Sequence, residues 1–198
     1  MENKWGFLRE TEQKAQKDGK DKDFGLCRTG LEKYLKVIFP DVNDWVYNSK
    51  VPNSTRKFQP DYRSESKKLI VEYDGLPHYV NPDSILNDIE KKQYHESMGY
   101  KVVNIPYFIQ LSNNAVKELF GVDVKEELFD EKKYPSLGIN GRCSPAYLCS
   151  AGVERMAQEF KRFPEQYKVN VEYLKEQDPF LSGVKFLEEA YNAKGDKK

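Results

Sequence analysis

The sequence is poor in cysteine and histidine, has no net charge and contains no long hydrophobic run. The three cysteines, Cys27, Cys143 and Cys149, are odd in number and irregularly spaced, which is typical of a reduced, cytoplasmic chain. A zinc site would need more ligands at tighter spacing. No run of about eighteen apolar residues is present, so we expect no membrane span. The charged segment 1–23 lacks the apolar core of a signal peptide.

The charges of the chain balance, with 32 Lys and Arg residues against 32 Asp and Glu residues. A protein that binds DNA alone and nonspecifically is usually basic, because phosphate neutralisation supplies most of its affinity. A neutral chain therefore argues against strong independent binding of DNA. It fits a protein that reaches DNA through a partner or through dimerisation, and it equally fits an enzyme without a nucleic-acid substrate. The length of 198 residues is enough for a real hydrophobic core.

The stretch from residue 60 to residue 106 holds the candidate chemistry. Residues 69–74, with the sequence LIVEYD, are followed by a glycine and are rich in β-branched and apolar types, which predicts a strand. A polar turn would pair this strand with one that opens at Asp61. A helix at residues 82–98 and a strand at residues 101–105 are predicted to follow.

Two carboxylates of this stretch are predicted to face each other. In the hairpin Asp61 lies roughly opposite Glu72, and opposed side chains on paired strands sit about 4.5–5.5 Å apart. Glu72 and Asp74 share one face, because alternate strand residues point the same way. Opposed like charges repel, so we expect a divalent cation with oxygen ligands to offset the repulsion. The alternative is a turn residue at Asp61 and two solvated carboxylates on the strand.

Other side chains near the hairpin have two possible roles. The predicted helix places Ile85, Ile89 and Tyr94 partly on one face, and His95 is interpreted as a structural or exposed histidine. Five basic residues would either hold phosphates or be ordinary solvated side chains: Arg56, Lys57, Arg63, Lys67 and Lys68.

The alternation of predicted strands and helices indicates an α/β fold, with a mixed central sheet flanked by helices and a C-terminal helical extension. We divide the chain into a charged arm or helix at residues 1–23, a core at residues 24–122 and the extension at residues 123–198. The extension has three predicted helices, at residues 151–162, 164–175 and 179–191. It carries no recognisable chemistry, and we expect it to pack on the core, with partner docking as the alternative.

The order of the acidic residues resembles a known nuclease signature. Pro60 and Asp61 are followed by the sequence EYDG at residues 72–75 and then by His78. This order is similar to the PD-(D/E)XK nuclease superfamily, in the branch with an E-x-D-G-x-x-H signature that includes the very-short-patch repair endonucleases. The resemblance extends over residues 28–110. One departure is that Asp74 stands where the superfamily usually has a lysine, which leaves open the group that orients the attacking water.

The resemblance implies a restriction-endonuclease-like fold and Mg²⁺-dependent cleavage of DNA with one or two ions. Asp61, Glu72 and the carbonyl oxygen of Tyr73 would bind the metal ion. Asp74 would bind a second ion or orient water. His78 would act as general base or steady the scissile phosphate, and its alternative role is a loop residue hydrogen-bonded to an acid. The resemblance also gives Asp88 a supporting role, in holding His78 or nearby backbone.

The whole chain further resembles the small cleavage subunit of a heterodimeric type IIS restriction endonuclease. The implied partners are double-stranded DNA and a larger subunit that recognises the sequence. Two rival interpretations stay open. One is an inactive DNA- or protein-binding module on the same fold, and the other is a metal-free hydrolase that uses Glu72 and Asp74 as an acid–base pair, as glycosidases do.

Overall fold

A four-stranded sheet lies at the centre of the computed structural model, which describes residues 31–132, 135–138 and 143–193. The predicted arm at residues 1–23 lies outside the described residues. The strands are β1 (Trp45–Tyr47), β2 (Tyr62–Ser64), β3 (Leu69–Asp74) and β4 (Lys101–Pro106), and they stand in this order. The first three pair antiparallel, whereas β3 and β4 pair parallel. The prediction of a mixed sheet flanked by helices is confirmed.

Six helices of the described residues surround the sheet: α1 (Leu31–Ile38), α2 (Pro82–Ser97), α3 (Asn113–Phe120), α4 (Ser150–Phe160), α5 (Pro164–Gln177) and α6 (Val184–Asn192). The helix predicted from residue 179 begins later, because the Asp178 carboxylate accepts hydrogen bonds from the backbone N–H groups of Phe180 and Leu181 and fixes a turn there. Gly183, with φ +71°, then precedes α6. No helix among the described residues is long and apolar enough to cross a membrane.

The predicted hairpin of β2 and β3 is confirmed. Tyr62 pairs with Val71 and Ser64 pairs with Leu69, so the turn contains residues 65–68. One further step along this register places Asp61 opposite Glu72. The turn is stabilised by the Asp44 carboxylate, which accepts hydrogen bonds from the Ser64 and Ser66 hydroxyls at 2.7 and 2.9 Å.

The two faces of the sheet are covered differently. Val71 and Tyr73 of β3 pack into the main core, which also contains buried residues of α1, α3 and all three C-terminal helices. The apolar part of the other face is only a small cluster, made of Val51, Ile70, Tyr100 and Val102. Glu72 and Asp74 lie on this second face, at the carboxyl end of β3. Polar chemistry is therefore placed on the face with the smaller apolar cover.

Helix α2 covers the second face with polar side chains. Its Asp88, Lys91 and His95 line a small cavity there, whereas Leu86 is exposed and Ile89 is 49% exposed. The sequence placed Ile85, Ile89 and Tyr94 partly on one face, and the half-exposed Ile89 shows that this grouping does not mark the buried side of the helix. The helix sits over a carboxylate-bearing part of the sheet, so its inner side has to supply charges and hydrogen bonds instead of apolar surface.

Candidate active site

Asp61 and Glu72 are joined by backbone hydrogen bonds at the end of the hairpin. The N–H of Asp61 donates to Glu72 Oε2 at 3.3 Å, and the N–H of Tyr73 donates to Asp61 Oδ2 at 2.9 Å. The N–H and C=O groups of one strand residue point to the same side, so the Tyr73 carbonyl faces the side of Asp61. The three oxygen groups that the sequence nominated as metal ligands are thus brought to one corner of the sheet.

The Glu72 carboxylate is buried, in a residue that is 6% exposed. Lys91 of α2 places its Nζ atom 2.8 Å from Glu72 Oε1, so the two groups form an ion pair. Burial raises the pKa of Glu72 to about 7, and the charge of Asp61 adds to this rise while Lys91 opposes it.

Asp74 is enclosed by hydrogen-bond donors and is only 2% exposed. Arg155 of α4 donates from Nη2 to Asp74 Oδ2 at 2.5 Å, and Asn104 of β4 donates from Nδ2 to the two carboxylate oxygens at 3.2 and 3.0 Å. Burial raises the pKa of Asp74, and the charge of Arg155 opposes that rise. These donors occupy the carboxylate and keep it away from solvent.

His78 lies on the short 3-10 turn that follows β3, and it contacts an acid of α2. Its Nδ1 atom is 2.9 Å from both carboxylate oxygens of Asp88. The hydrogen bond to Asp88 raises the pKa of His78, and the charge of Asp74 also raises it. In neutral His78 this contact places the proton on Nδ1, so Nε2 is the nitrogen that can accept a proton. The side chain is partly exposed, and the predicted hydrogen bond to an acid is present.

Asp74, His78 and Asp88 also satisfy the distance requirement for a metal group. One possible ligand atom from each lies within 4.8 Å of the others, so this cluster could hold a metal ion by distance alone. Arg155 contacts both of its carboxylates, with Nη1 2.7 Å from Asp88 Oδ2 in addition to the contact with Asp74. A cationic side chain therefore already lies against this cluster.

Sequence reasoning missed two cations of the site. Lys91 had a usable signal, because Asp88, Lys91 and His95 follow one another at intervals of three and four residues and so share one helix face. Arg155 had none, since it is one of several polar residues between the apolar positions of α4 and lies far along the chain from Asp74. The assignment of no chemistry to the C-terminal extension was therefore incomplete.

His95 and Arg63 are both buried. His95 is fully buried beside the ring of Phe58, which settles its open alternative against exposure. Burial lowers the pKa of His95 to about 4. Arg63 is also buried and ion-paired with Glu65, so it cannot hold a phosphate.

A larger groove adjoins the small cavity of the site. The groove has a volume of about 640 Å³ and shares Asp88, Lys92 and Asn104 with the cavity.

Comparisons with family models, curated proteins and solved structures found no match to this chain. The restriction-endonuclease-like fold accordingly stays a prediction based on the residues themselves.

Proposed function

We propose that the protein is a Mg²⁺-dependent DNA endonuclease, and that it is the one-strand-cleaving small subunit of a heterodimeric type IIS restriction endonuclease. The observation that carries the proposal is the corner formed by Asp61, Glu72 and the Tyr73 backbone. Carboxylate and carbonyl oxygens are hard ligands of the kind that Mg²⁺ takes. The buried Glu72 carboxylate already faces a cation, the Lys91 ammonium group 2.8 Å from Oε1, so its surroundings suit positive charge.

The residues around this corner have distinct roles in the proposed hydrolysis. A bound Mg²⁺ ion supplies charge stabilisation at the phosphoryl group. His78 is held by Asp88 through Nδ1, so its Nε2 atom takes the proton of the attacking water as a general base. Lys91, 2.8 Å from Glu72, supplies the ammonium group that the superfamily usually carries two residues after the glutamate. Asp74 does not contact substrate in this scheme, because its carboxylate is enclosed.

Recognition of DNA is assigned to a larger partner subunit. The chain has equal numbers of acidic and basic residues, and a basic surface is what a nuclease needs to hold DNA alone. The buried Arg63 removes one of the few cations near the site from phosphate binding. One catalytic corner cleaves one strand, so a double-strand break needs a second site in the partner.

The metal-free alternative is poorly supported by the position of Asp74. An acid–base pair acting on a sugar needs both carboxyl groups to reach the scissile bond. Asp74 is 2% exposed and bound by Arg155 and Asn104, so it cannot reach a substrate without breaking these contacts.

The proposal is tested by a plasmid nicking assay with Mg²⁺, with and without proteins that copurify with the chain from its native source. We expect nicking that a chelator stops and that Glu72→Gln abolishes. Glu90→Gln is the matched control, because Glu90 is an acid of the same length on the exposed side of α2. DNA binding without nicking under every condition would select the inactive binding module instead.

A further inference from the structure

We propose that Arg155 takes the place of a second metal ion, so that the site binds one divalent cation, at the corner of Asp61 and Glu72, and none between Asp74 and Asp88. The proposal rests on the proposed function for the assignment of the metal corner. It assigns a role in the site to the C-terminal extension, from which Arg155 comes.

Arg155 occupies the oxygen atoms that a second ion would need. Its Nη2 and Nη1 atoms lie 2.5 Å from Asp74 Oδ2 and 2.7 Å from Asp88 Oδ2. These two carboxylates supply two of the three groups in the Asp74, His78 and Asp88 cluster. A divalent ion bound there would stand close to a permanently charged guanidinium group, and the two cations would repel each other strongly in a partly buried site.

Several further contacts fix Arg155 in this position. Its Nε atom donates to Glu159 Oε1 at 3.1 Å, and Nη1 also donates to the carbonyl oxygen of His78 at 3.2 Å. The guanidinium carbon lies 4.6 Å from the centre of the Tyr79 ring, and the Tyr79 hydroxyl donates to Glu159 at 2.7 Å. The Arg155 side chain is 16% exposed. A cation held by this many groups is part of the scaffold.

Helix α4 approaches the site so closely that only glycine fits at the contact. A Cβ atom on Gly152 would lie 1.8 Å from the carbonyl oxygen of Tyr79. Cys149, which precedes α4, donates its backbone N–H to the same oxygen at 3.3 Å. Gly152 and Arg155 are three residues apart and so share one helix face. The close approach at Gly152 therefore brings Arg155 onto Asp74 and Asp88.

The test counts Mn²⁺ ions bound to the full chain by titration followed with electron paramagnetic resonance. We expect one ion in the wild-type protein and none in Glu72→Gln. Arg155→Met keeps the length of the side chain without its charge, and we expect it to bind two ions. Arg162→Met is the matched control, because Arg162 follows the same helix and forms an exposed ion pair with Glu118. This control should bind one ion.

Two ions in the wild-type protein, or one ion in a folded Arg155→Met variant, would overturn the proposal. If Arg155→Met does not fold, Asp88→Asn decides, because it keeps the shape of the side chain. Retention of one ion with affinity changed less than about twofold supports the proposal, and loss of the ion overturns it. A chain that binds one ion at Glu72 yet never nicks DNA would refute the proposed function and leave the role of Arg155 standing.

Discussion

Two pairs of carboxylates lie at the carboxyl end of β3, and they are neutralised in different ways. Asp74 and Asp88 share the guanidinium group of Arg155, with both contacts at 2.7 Å or less. Glu72, beside Asp61, accepts the Asp61 N–H at Oε2 and is paired with the ammonium group of Lys91 at Oε1. The first pair is therefore held by one cation with several fixed donors, whereas Glu72 meets a single point charge.

The difference follows from how the two cations are held. The planar guanidinium group of Arg155 carries several donors in a fixed arrangement and serves two carboxylates at once. The ammonium group of Lys91 is a compact point charge on a flexible stem, and it meets one oxygen of Glu72. A buried carboxylate whose pKa is raised destabilises the fold when it is ionised at neutral pH, and such local destabilisation is common at functional sites.

The largest effect is expected when Asp74 and Asp88 lose their ion pairs with Arg155. Arg155→Met should destabilise the protein by about 3–5 kcal/mol, because it leaves Asp74 and Asp88 buried without their shared cation. Urea denaturation at pH 7 measures this change. The control Arg162→Met should change the free energy of unfolding by no more than about 0.5 kcal/mol. Equal effects from the two variants would mean that the Arg155 contacts carry no special weight.

The next largest effect is expected where α4 contacts the Tyr79 backbone, at Gly152. Gly152→Ala should destabilise the protein by about 2–3 kcal/mol, since the added methyl group meets the Tyr79 carbonyl oxygen at 1.8 Å. In an open helix the same change would stabilise by about 1 kcal/mol, so even the sign of the result is informative. Thermal unfolding measures the change, with Glu154→Ala on the exposed side of α4 as control. A stabilised Gly152→Ala variant would contradict the close approach.

A smaller effect, with the opposite sign, is expected at the Glu72 carboxylate. Burial raises the pKa of Glu72 from 4.5 to about 7, so the folded protein binds the Glu72 proton more tightly than the unfolded chain does. The contribution of this group to stability therefore falls as the pH rises from about 4.5 to about 7, and it stays low above that range.

Glu72→Gln removes that charge and should raise the free energy of unfolding by about 1–2 kcal/mol at pH 8 while abolishing nicking. Denaturation at pH 5 and pH 8 measures it, and the gain should be larger at pH 8. Glu90→Gln, at an exposed position of α2, is the control for the change from acid to amide. A loss of stability in Glu72→Gln at pH 8 would show that the Lys91 contact outweighs the cost of burial.

Local signals were enough to predict the hairpin and the corner that it forms. A run of strand-forming residues, a polar turn and a period of two fix the register that places Asp61 opposite Glu72. The same signals predicted α2 and β4, because proline and glycine mark their ends. These elements depend on neighbours in the sequence, which is the range over which periodicity and turn chemistry act.

The partner of Asp74 could not be predicted in this way. Arg155 and Asp74 are far apart in the sequence, and the contact depends on the packing of α4 at Gly152 against the Tyr79 backbone. The spacing of three and four residues in α4 indicates which side of the helix is apolar. It does not predict what a charged residue such as Arg155 contacts. Long-range ion pairs of this kind follow from tertiary packing, which a single sequence does not encode as a local pattern.

The smallest expected effect concerns the link between the two pairs, at His78. The hydrogen bond to Asp88 raises the pKa of His78, and the charge of Asp74 also raises it, so Asp88→Asn should lower that pKa without removing the effect of Asp74. The chain has 2 histidines, and burial lowers the pKa of the other one, His95, to about 4. Two well-separated titrations are therefore expected in NMR spectra of the imidazole groups.

Asp83→Asn, at the exposed start of α2, should leave both titrations unchanged and serves as the control. The raised pKa of His78 stabilises the folded protein at pH values below the ordinary histidine pKa, and this contribution disappears as the pH rises through the folded value. Asp88→Asn should therefore lose more stability at pH 5.5 than at pH 8. An unchanged His78 titration in Asp88→Asn would mean that Asp74, enclosed by Arg155, controls the proton of His78 by itself.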